Sequence, residues 1–473
     1  MTRASADTTV AQTLGAFVAD TGHDDVPPSA RAAARRAIVD GIGVGFAGAN
    51  MPFARMTRDQ ALAEWRAGRS SLIGVSGVAL VAPGAAHVNA VAAHVLDFDA
   101  NFNVGMVFAP AVLLPAILAA AEEEDAPGAD VVTAFAIGTE VVRVLAEALS
   151  ESPYRKDKDS LFYRGWFNSA VLGPIGAAAA CARILRLDSI RASQAIAIAA
   201  IQAGGLRIAV GSDMKPGLVG RAAETGVRAA VLAKAGAQAP ADAVEGFRGL
   251  VQVVNGGQWN AAAFATLGHF ADVGTSFKEY PACSSIQAAA EALEHLIDRH
   301  AIDRADIVEV RCDVTSHIAS NLTFPRPDSV TQAQFSMPFA IACILLHGHF
   351  TADLLTEETV RDDAIRSVMG RVTMHKAALF DDDEVSRLAT EATRVTLTLR
   401  DGRSISHLQA AATGKPTNPI SDERLDRKFL RNVGPLLGDG GGRALLARLR
   451  GLDSAIRVRE LFAEAPMHER LEP

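Results

Sequence analysis

Cysteine and aromatic residues are scarce in this chain, and the scarcity of cysteine argues against two kinds of stabilisation. The four cysteines form no C-x-x-C pair, and no histidine flanks one of them at the spacing of a zinc site. We therefore expect neither a disulfide framework nor a metal site. Aromatic residues make up 5% of the chain, whereas alanine and glycine are abundant, which favours helices that pack closely.

Long basic runs and long apolar runs are absent as well. The formal net charge is −8 and charges of both signs are interspersed, so nucleic acids and anionic membranes are poor candidate partners. No apolar run reaches the ~18 residues that a transmembrane helix needs. The first residues, MTRASADTTVAQ, contain no apolar signal core, and the expected location is the cytoplasm.

The length of 473 residues predicts more than one domain, because single cores stop growing at roughly 250–300 residues. Hydrophobic periodicity is helical at first, changes near residue 275 and becomes helical again near the end. We predict a mainly α protein in which a smaller α/β domain is inserted into a large helical one. The predicted parts are a helical domain (1–274), an α/β domain (275–409) and C-terminal helices (410–473) that return to the helical domain.

Three local patterns predict the α/β domain. An amphipathic helix presents one apolar face, formed by Ile286, Ala289, Leu293, Leu296 and Ile297. Two strands show alternating apolar residues, which are Val308, Val310, Cys312 and Val314 in the first and Val395, Leu397 and Leu399 in the second. The dipeptide Asp401–Gly402 predicts a hairpin turn, after which a return strand starts near Ile405.

Several segments, in their order and spacing, resemble one known family. They are AIVDGIGVGFAGA, HVNAVAAHVLDFDAN, YRGWFNSAVLGPIGAAAACARILRLD, VGSDMKPGLVGRAAETGVRAAVLAKAG, EGFRGL, KEYPACSSIQAAAEAL, QAQFSMPFAIACILLHG and PISDERLDRKF. Nearly end to end, the chain is similar to the MmgE/PrpD family, which includes 2-methylcitrate dehydratases, cis-aconitate decarboxylases and iminodisuccinate epimerases. The resemblance implies a helical domain plus a smaller α/β domain, usually in a homodimer, without an organic cofactor.

Two positions of the family pattern are retained in this sequence. Asp97 is the first acidic residue of D-F-D, and Lys215 lies in the S-D-M-K-P loop before a helix expected near Gly220. Family enzymes move protons next to a carboxylate, which needs a positioned acid or base and cations that hold the carboxylate. We predict these roles for Asp97 and Lys215. The alternatives are a turn carboxylate and a surface lysine, and we interpret the nearby His94 as structural.

The departures from the family pattern predict a changed site. The family's D-F-D-D-T-H is here D-F-D-A-N-F, and the histidines expected at three further positions are Phe167, Leu218 and Gln287. A less cationic cleft fits a rather apolar acid better than a tricarboxylate, because each buried carboxylate needs a partner. Such a cleft is also expected to raise the pKa of Asp97. Plain core packing is the alternative explanation for the aromatic residues.

The remaining candidate residues are predicted to bind the substrate. Arg221 could clamp a second carboxylate, Cys283 has no local histidine partner that would activate it, and Gln334 and Ser336 are either cleft-lining or structural. The predicted substrate-binding residues are Asn101, Phe102, Phe108, Trp166, Phe167, Leu218, Arg221, Tyr280, Cys283, Ser284 and Gln287.

These patterns lead to two functional hypotheses. The first is a cofactor-free lyase or isomerase, of dehydratase, decarboxylase or epimerase type, that acts next to a carboxylate on a small organic acid of specialised metabolism. The second is a non-catalytic relative that binds a ligand or a partner protein, which the missing histidines motivate. Asp97 and Lys215 should face one cleft under the first hypothesis and separate surfaces under the second.

Overall fold

The computed structural model describes residues 8–149, 160–380, 389–454 and 456–462. The chain is mainly helical and carries a smaller α/β part, which confirms the predicted fold class. Its first helices are α1 (Val10–Asp20), α2 (Pro28–Gly48), α3 (Pro52–Glu64), α4 (Ala82–His94), α5 (Ala109–Glu124), α6 (Gly128–Leu149), α7 (Asn168–Ile184), α8 (Ser189–Gln202), α9 (Met214–Lys234) and α10 (Leu250–Asn255).

The later helices and the strands complete the fold. The helices are α11 (Ser284–His300), α12 (Ser316–Asn321), α13 (Val330–Ala333), α14 (Met337–His347), α15 (Glu357–Arg361), α16 (Asp363–Met369) and α17 (Asp422–Arg450). The strands are β1 (Ala67–Ser71), β2 (Ala79–Leu80), β3 (Asn101–Phe102), β4 (Thr275–Ser276), β5 (Ile307–Val314), β6 (Val372–Lys376), β7 (Thr393–Leu399) and β8 (Ser404–Gln409). Short 3₁₀ turns include Val104–Met106, Arg207–Ala209 and Ala261–Thr266.

Small residues set the packing of the helical part. Helix α9 packs closely against both α4 and α7, and the facing residues are largely alanine and glycine. A side chain at Gly226 on α9 would overlap Ala177 on α7, so the two backbones can approach only because the glycine is there. Proline occupies the first helical position of α2 and α3, where its missing amide hydrogen costs no helical bond.

A four-stranded sheet organises the α/β part. Its strand order is β6-β5-β7-β8, with β5 parallel to β6 and the other neighbours antiparallel. The predicted apolar face of α11 is buried, as are Val395, Leu397 and Leu399 of β7, so these predictions are confirmed. The hairpin at Asp401–Gly402 is confirmed too, and Gly402 adopts the positive φ of 86° that its turn requires.

The alternation predicted for the first strand is wrong at one residue. Val310, Cys312 and Val314 are buried, but Val308 is 40% exposed. The register of β5 against β7 shifts between Ile307 and Glu309, and such a bulge inserts a residue and reverses the alternation beyond it. Strand β6 was not predicted, because its five residues carry too short an alternation to stand out.

The last helix returns to the first part of the chain. Helix α17 packs on α2, and Phe429, Val433 and Leu437 belong to the same hydrophobic core as the early helices. The buried Lys428 on α17 donates a hydrogen bond to Asp40 Oδ1 of α2 at 2.6 Å. The domain boundaries at residues 274 and 409 stay predictions.

No single helix among the described residues is both long enough and apolar enough to cross a bilayer. Helices α2 and α3 meet that requirement only together, as a pair bent by 89°.

The ion pair between Lys428 and Asp40 should control how firmly α17 is attached. Lys428→Ala would leave the carboxylate of Asp40 buried without its cation, so we expect the free energy of unfolding to fall by about 3–5 kcal/mol. Arg427→Ala, at the exposed neighbouring position, is the matched control and should change it by less than about 0.5 kcal/mol. Urea titrations followed by circular dichroism measure both, and equal midpoints for the two variants would contradict this role.

Candidate active site

A cavity of about 620 Å³ lies between the helical part and the α/β part. Its walls come from the segment after α4, the segment before α7, the connection from α8 to α9, the start of α11 and the region around α12. A cavity of this size suits a small organic molecule, and boundaries between domains are common places for such sites. The polar groups inside it therefore define the candidate site.

Asp97 enters this cavity on a tight turn. Helix α4 ends at His94, and the backbone amide of Asp97 donates a hydrogen bond to the carbonyl of His94 at 3.0 Å. The φ of Asp97 is +47°, a left-handed conformation that aspartate tolerates better than most residues. Such backbone strain concentrates at functional sites, since the surrounding structure must hold it in place.

Two lysines from distant segments bind the carboxylate of Asp97. Lys215, in the first turn of α9, places Nζ 2.9 Å from Asp97 Oδ1, and Lys278 places Nζ 3.1 Å from the same oxygen. Lys278 also donates a hydrogen bond to the backbone carbonyl of Asp97. All three side chains are buried, and Asp97 Oδ2 has no hydrogen-bond partner in the described part of the chain. One oxygen of the carboxylate is thus held and the other is available.

These cations decide the ionisation of Asp97. Burial alone would raise the pKa of its carboxyl group, but Lys215 and Lys278 outweigh burial and hold that pKa well below its ordinary range. Burial works against the charge of Lys278 too, and Asp97 and Asp99 overcome it, so the pKa of Lys278 is raised. The expectation of a raised pKa for Asp97 is therefore wrong, because it left out the second lysine.

His94 continues the network on the other side of Lys215. Its Nε2 lies 2.6 Å from Lys215 Nζ, and its Nδ1 lies 2.9 Å from Asp99 Oδ1. An ammonium group can only donate, so Nε2 accepts and the ring proton sits on Nδ1, facing Asp99. Burial lowers the pKa of His94 and keeps the ring neutral. A chain of hydrogen bonds thus runs from Asp99 through His94 and Lys215 to Asp97.

Aromatic rings surround the two ammonium groups. The ring centre of Phe108 lies 4.5 Å from Lys215 Nζ and 5.0 Å from Lys278 Nζ. It lies 4.6 Å from the ring centre of His94, with the two rings tilted by 59°. Phe335 and Phe167 lie 5.6 and 5.8 Å from Lys215 Nζ. Cations interact favourably with aromatic faces, and rings that exclude water also strengthen the attraction between lysine and carboxylate.

A second polar group lines the same cavity. Lys415 forms an ion pair with Glu391 and donates a hydrogen bond to Ser284 Oγ at 2.6 Å. Burial opposes the charge of Glu391, but Lys415 and His317 lower its pKa to about 2. Arg207 lies over a phenylalanine ring beside this group. The cavity therefore contains positive charge at more than one place.

Asp97, Asp99 and His94 together resemble a set of metal ligands. His94, Asp97 and Asp99 offer ligand atoms that all lie within 4.8 Å of one another. Lys215 contacts both His94 and Asp97, and Lys278 contacts Asp97, so two positive charges already neutralise this cluster. Repulsion from those ammonium groups would disfavour a metal ion in the same place.

Comparison with known proteins decides the family. Residues 12–262 match the MmgE/PrpD N-terminal domain, and residues 280–449 match the MmgE/PrpD C-terminal domain. The chain belongs to the MmgE/PrpD family. The cis-aconitate decarboxylase of Homo sapiens is 26% identical over 89% of this chain and 86% of its own length. The cis-aconitate decarboxylase of Aspergillus terreus is 25% identical over 98% of each chain.

Many residues predicted from the MmgE/PrpD pattern meet in the cavity. Asp97 and Lys215 contact each other there, as expected for one shared cleft, although α9 begins at Met214, earlier than predicted. Asn101 is buried and its Oδ1 has no partner among the residues described. The predicted residues that line the cavity are Asp97, Asn101, Phe108, Trp166, Phe167, Lys215, Cys283 and Ser284.

Three of the predicted residues do not line the described cavity wall, because each belongs to packed or exposed structure. Phe102 lies in β3, which pairs with β4, and its side chain is part of the helical core. Leu218 packs beside Gly205 and against the helical core. Arg221 is exposed on α9, so it does not clamp a carboxylate at this site.

Tyr280 and Gln287 also lie behind the wall, where they support Lys278. The hydroxyl of Tyr280 donates to Glu294 at 2.6 Å. Gln287 Oε1 accepts from the backbone amides of Glu279 and Tyr280, both at 3.0 Å, and so fixes the turn that follows Lys278. Gln334 and Ser336 are structural as well: Gln334 binds the carbonyl of Val95, and Ser336 caps α14.

Several site residues were not predicted from the sequence. Lys278 is visible in the family-like segment KEYPACSS, and the resemblance could have identified it. Arg207, His317, Glu391 and Lys415 come from separate segments without a shared local pattern, so only the fold brings them together. Cys283 lines the cavity, but burial raises the pKa of its thiol to about 11, which keeps it protonated and poorly nucleophilic.

The hydrogen-bond network predicts the state of His94. We expect a neutral ring with its proton on Nδ1 and a titration midpoint below the ordinary value of 6.5, since burial disfavours the imidazolium. Two-dimensional ¹H–¹⁵N spectra of protein labelled at its twelve histidines measure this, with His94→Gln assigning the signal. An imidazolium at His94 at pH 7 would show that the network is arranged differently.

Proposed function

We propose that the chain is a lyase of the MmgE/PrpD type that acts next to a carboxylate on a small organic acid, without an organic cofactor. Its relatives named above are cis-aconitate decarboxylases, which supports lyase chemistry in general. The proposal includes isomerisation, in which a proton is removed from carbon and returned, because this reaction would also use Asp97 and Lys215. The observation that carries it is an ionised Asp97, with one oxygen held by two buried lysines and the other unpaired among the described residues, at the wall of the cavity.

Lys215 is proposed to hold the substrate carboxylate. It lines the cavity, whereas Lys278 lies behind Asp97 and does not border the described cavity wall. Lys215 is in the first turn of α9, where the helix dipole also favours negative charge. A carboxylate bound there would share the ammonium group with Asp97, and Lys278 would keep Asp97 in position.

Asp97 is proposed to move the proton. Its Oδ2 would accept a proton from the carbon next to the bound carboxylate, and the electron pair released would move into that carboxylate, whose oxygens Lys215 stabilises. In a decarboxylation the order differs: carbon dioxide leaves first, and a protonated donor returns a proton to carbon. A low pKa makes Asp97 a weak base while Lys215 is bound to it. A substrate carboxylate that draws Lys215 away raises that pKa at the moment of reaction.

The cavity wall indicates the kind of acid. Phe108, Phe167 and Trp166 line it, so part of the substrate is proposed to be apolar. Asn101 Oδ1 offers an acceptor that no described residue uses, which suits a hydroxyl group of the substrate. The proposed substrate is a rather apolar acid of specialised metabolism, and the proposed form of the protein is a cytoplasmic homodimer. The usual tricarboxylates are not the proposed substrates.

The alternative is a relative that binds such an acid without converting it. One observation favours it: the depressed pKa of Asp97 describes a carboxylate that is already satisfied by cations, as in a purely structural ion pair. The two functions differ in proton exchange. Incubation of the protein in D₂O with a panel of branched and unsaturated C4–C8 acids, followed by proton NMR, detects exchange, loss of water or loss of carbon dioxide. Binding without any of the three supports the alternative.

Substitution of Asp97 tests its role directly. Asp97→Asn keeps the shape and removes proton-accepting ability, so kcat should fall by about 10²–10⁴, the usual contribution of general acid–base catalysis. Circular dichroism checks that the fold is unchanged. Wild-type kcat in this variant would exclude Asp97 as the base.

Substitution of Lys215 should act mainly on substrate binding. Lys215→Ala removes a cation that pairs with the substrate carboxylate, so KM should rise, and kcat falls as well if the same cation stabilises the transition state. Lys215→Arg should restore only part of the activity, because a planar guanidinium does not replace a compact ammonium. Lys234→Ala, an exposed lysine on the same helix, is the control and should behave as wild type. Equal kinetics in Lys215→Ala and the control would mean that the lysine is structural.

The absence of the usual histidines predicts which acids are not substrates. Phe167, Leu218 and Gln287 occupy positions where the family resemblance leads us to expect histidine. We therefore expect negligible turnover of 2-methylcitrate and cis-aconitate by the purified protein. Release of carbon dioxide or water from these two acids, followed by NMR, measures it. Robust turnover of either would contradict the proposed change of substrate.

A further inference from the structure

We propose that Arg207 forms a second anion-binding site in the cavity, so that the substrate is an acid with a second anionic group beyond an apolar segment. This inference rests on the proposed function, since it adds a second contact to the acid that Lys215 holds. It is carried by the position of Arg207, by its fixed orientation and by the absence of an ion pair to it among the described residues.

Arg207 is held rigidly in the connection between α8 and α9. Its guanidinium lies 3.7 Å above the ring centre of Phe162, and its Nη2 donates to Asn321 Oδ1 at 3.0 Å. The backbone amide of Arg207 donates to the carbonyl of Gly165 at 2.8 Å. A stacked and hydrogen-bonded guanidinium loses little further freedom when it binds an anion.

Asn321 is fixed in turn by its own contacts. Its Nδ2 donates to Ser285 Oγ at 3.2 Å and lies 3.1 Å from His317 Nε2. Burial lowers the pKa of His317, so the ring is a neutral acceptor. Asn321 therefore positions Arg207 and has no free donor left for a substrate.

No acidic residue in the described part of the chain neutralises the charge of Arg207. No carboxylate there forms an ion pair with it, and its one side-chain hydrogen bond uses one of five N–H donors. The nearby Glu391 is already bound by Lys415, Ser284 and Ser285. A half-buried arginine that lines a cavity and forms no ion pair with any described residue is suited to bind a carboxylate, which pairs with two donors at once.

Arg207 and Lys215 mark two different points of one cavity. Lys215 contacts Asp97, His94 and a group of phenylalanine rings, whereas Arg207 contacts Phe162 and Asn321, and the two sets share no residue. Both cations line the same space of about 620 Å³. One small molecule can therefore reach both, with its apolar middle beside the aromatic wall. Arg207 would select the substrate and would not touch the reacting atoms.

Binding of simple acids tests this without knowledge of the true substrate. Isothermal titration calorimetry of the full chain compares succinate, glutarate and adipate with butyrate, pentanoate and hexanoate. At least one diacid should bind the wild type about 10- to 100-fold more tightly than the monoacid of equal chain length, the effect of one charged hydrogen-bonded contact. Arg207→Gln should abolish this preference and leave monoacid binding unchanged.

Three further variants complete the experiment. Arg207→Lys keeps the charge but not the planar fork and should retain part of the preference, which covers the case that Arg207→Gln does not fold. Arg191→Gln removes an exposed arginine on α8 and should bind as wild type. Lys215→Met should weaken binding of monoacids and diacids alike.

The outcomes separate this inference from the proposed function. The second site is overturned if the wild type shows no preference for diacids, if the preference survives in Arg207→Gln, or if Arg207→Lys keeps it at full strength. Unchanged binding of every acid in Lys215→Met instead contradicts the proposed function. If the preference for diacids still depends on Arg207 in that case, the anion-binding site at Arg207 is supported and the role of Lys215 is not. After the substrate is identified, Arg207→Gln should raise KM with little change in kcat.

Discussion

The buried carboxylate of Asp97 is the constraint around which the site is built. A carboxylate removed from water is very unfavourable unless cations and hydrogen bonds replace the water, and here two lysines do so. Those lysines lie far from Asp97 in the sequence, in α9 and in the segment before α11. Lys428 on α17 reaches the same region, since it donates to the carbonyl of Phe98 at 3.1 Å. One short loop therefore binds three distant parts of the chain to one another.

The same constraint sets the electrostatic state of the site. Two ammonium groups against Asp97, with Asp99 behind His94, keep every charge near an opposite charge, and the aromatic rings keep water away. In such surroundings small displacements of charge have large effects on ionisation, because the effective dielectric constant is low. A ligand carboxylate arriving at Lys215 is the kind of displacement that would change the basicity of Asp97. The two lysines, more than burial, therefore set the ionisation of Asp97.

What could be predicted from the sequence follows the range of the interactions. Helix faces, the β7–β8 hairpin and the family-like motifs are local, and they identified α11, β7, Asp97 and Lys215. The ionisation of Asp97 depends on Lys278, which is distant from it in the sequence. The orientation of Arg207 likewise depends on the distant residues Phe162 and Asn321. Val308 shows the same limit at a smaller scale, since a bulge set by pairing with β7 turned it outward.

Three of the positions at which the family resemblance leads us to expect histidine differ in their consequences in this structure. Phe167 lines the cavity beside Lys215, so its replacement changes what a ligand meets. Gln287 instead braces the turn that carries Lys278, and Leu218 packs against Gly205. Of these three positions, only Phe167 lies in the described cavity wall, so only there would a histidine add a polar group to it. Aromatic residues in the wall beside Asp97 and its lysines would therefore affect which acid the proposed site accepts more than how it moves a proton.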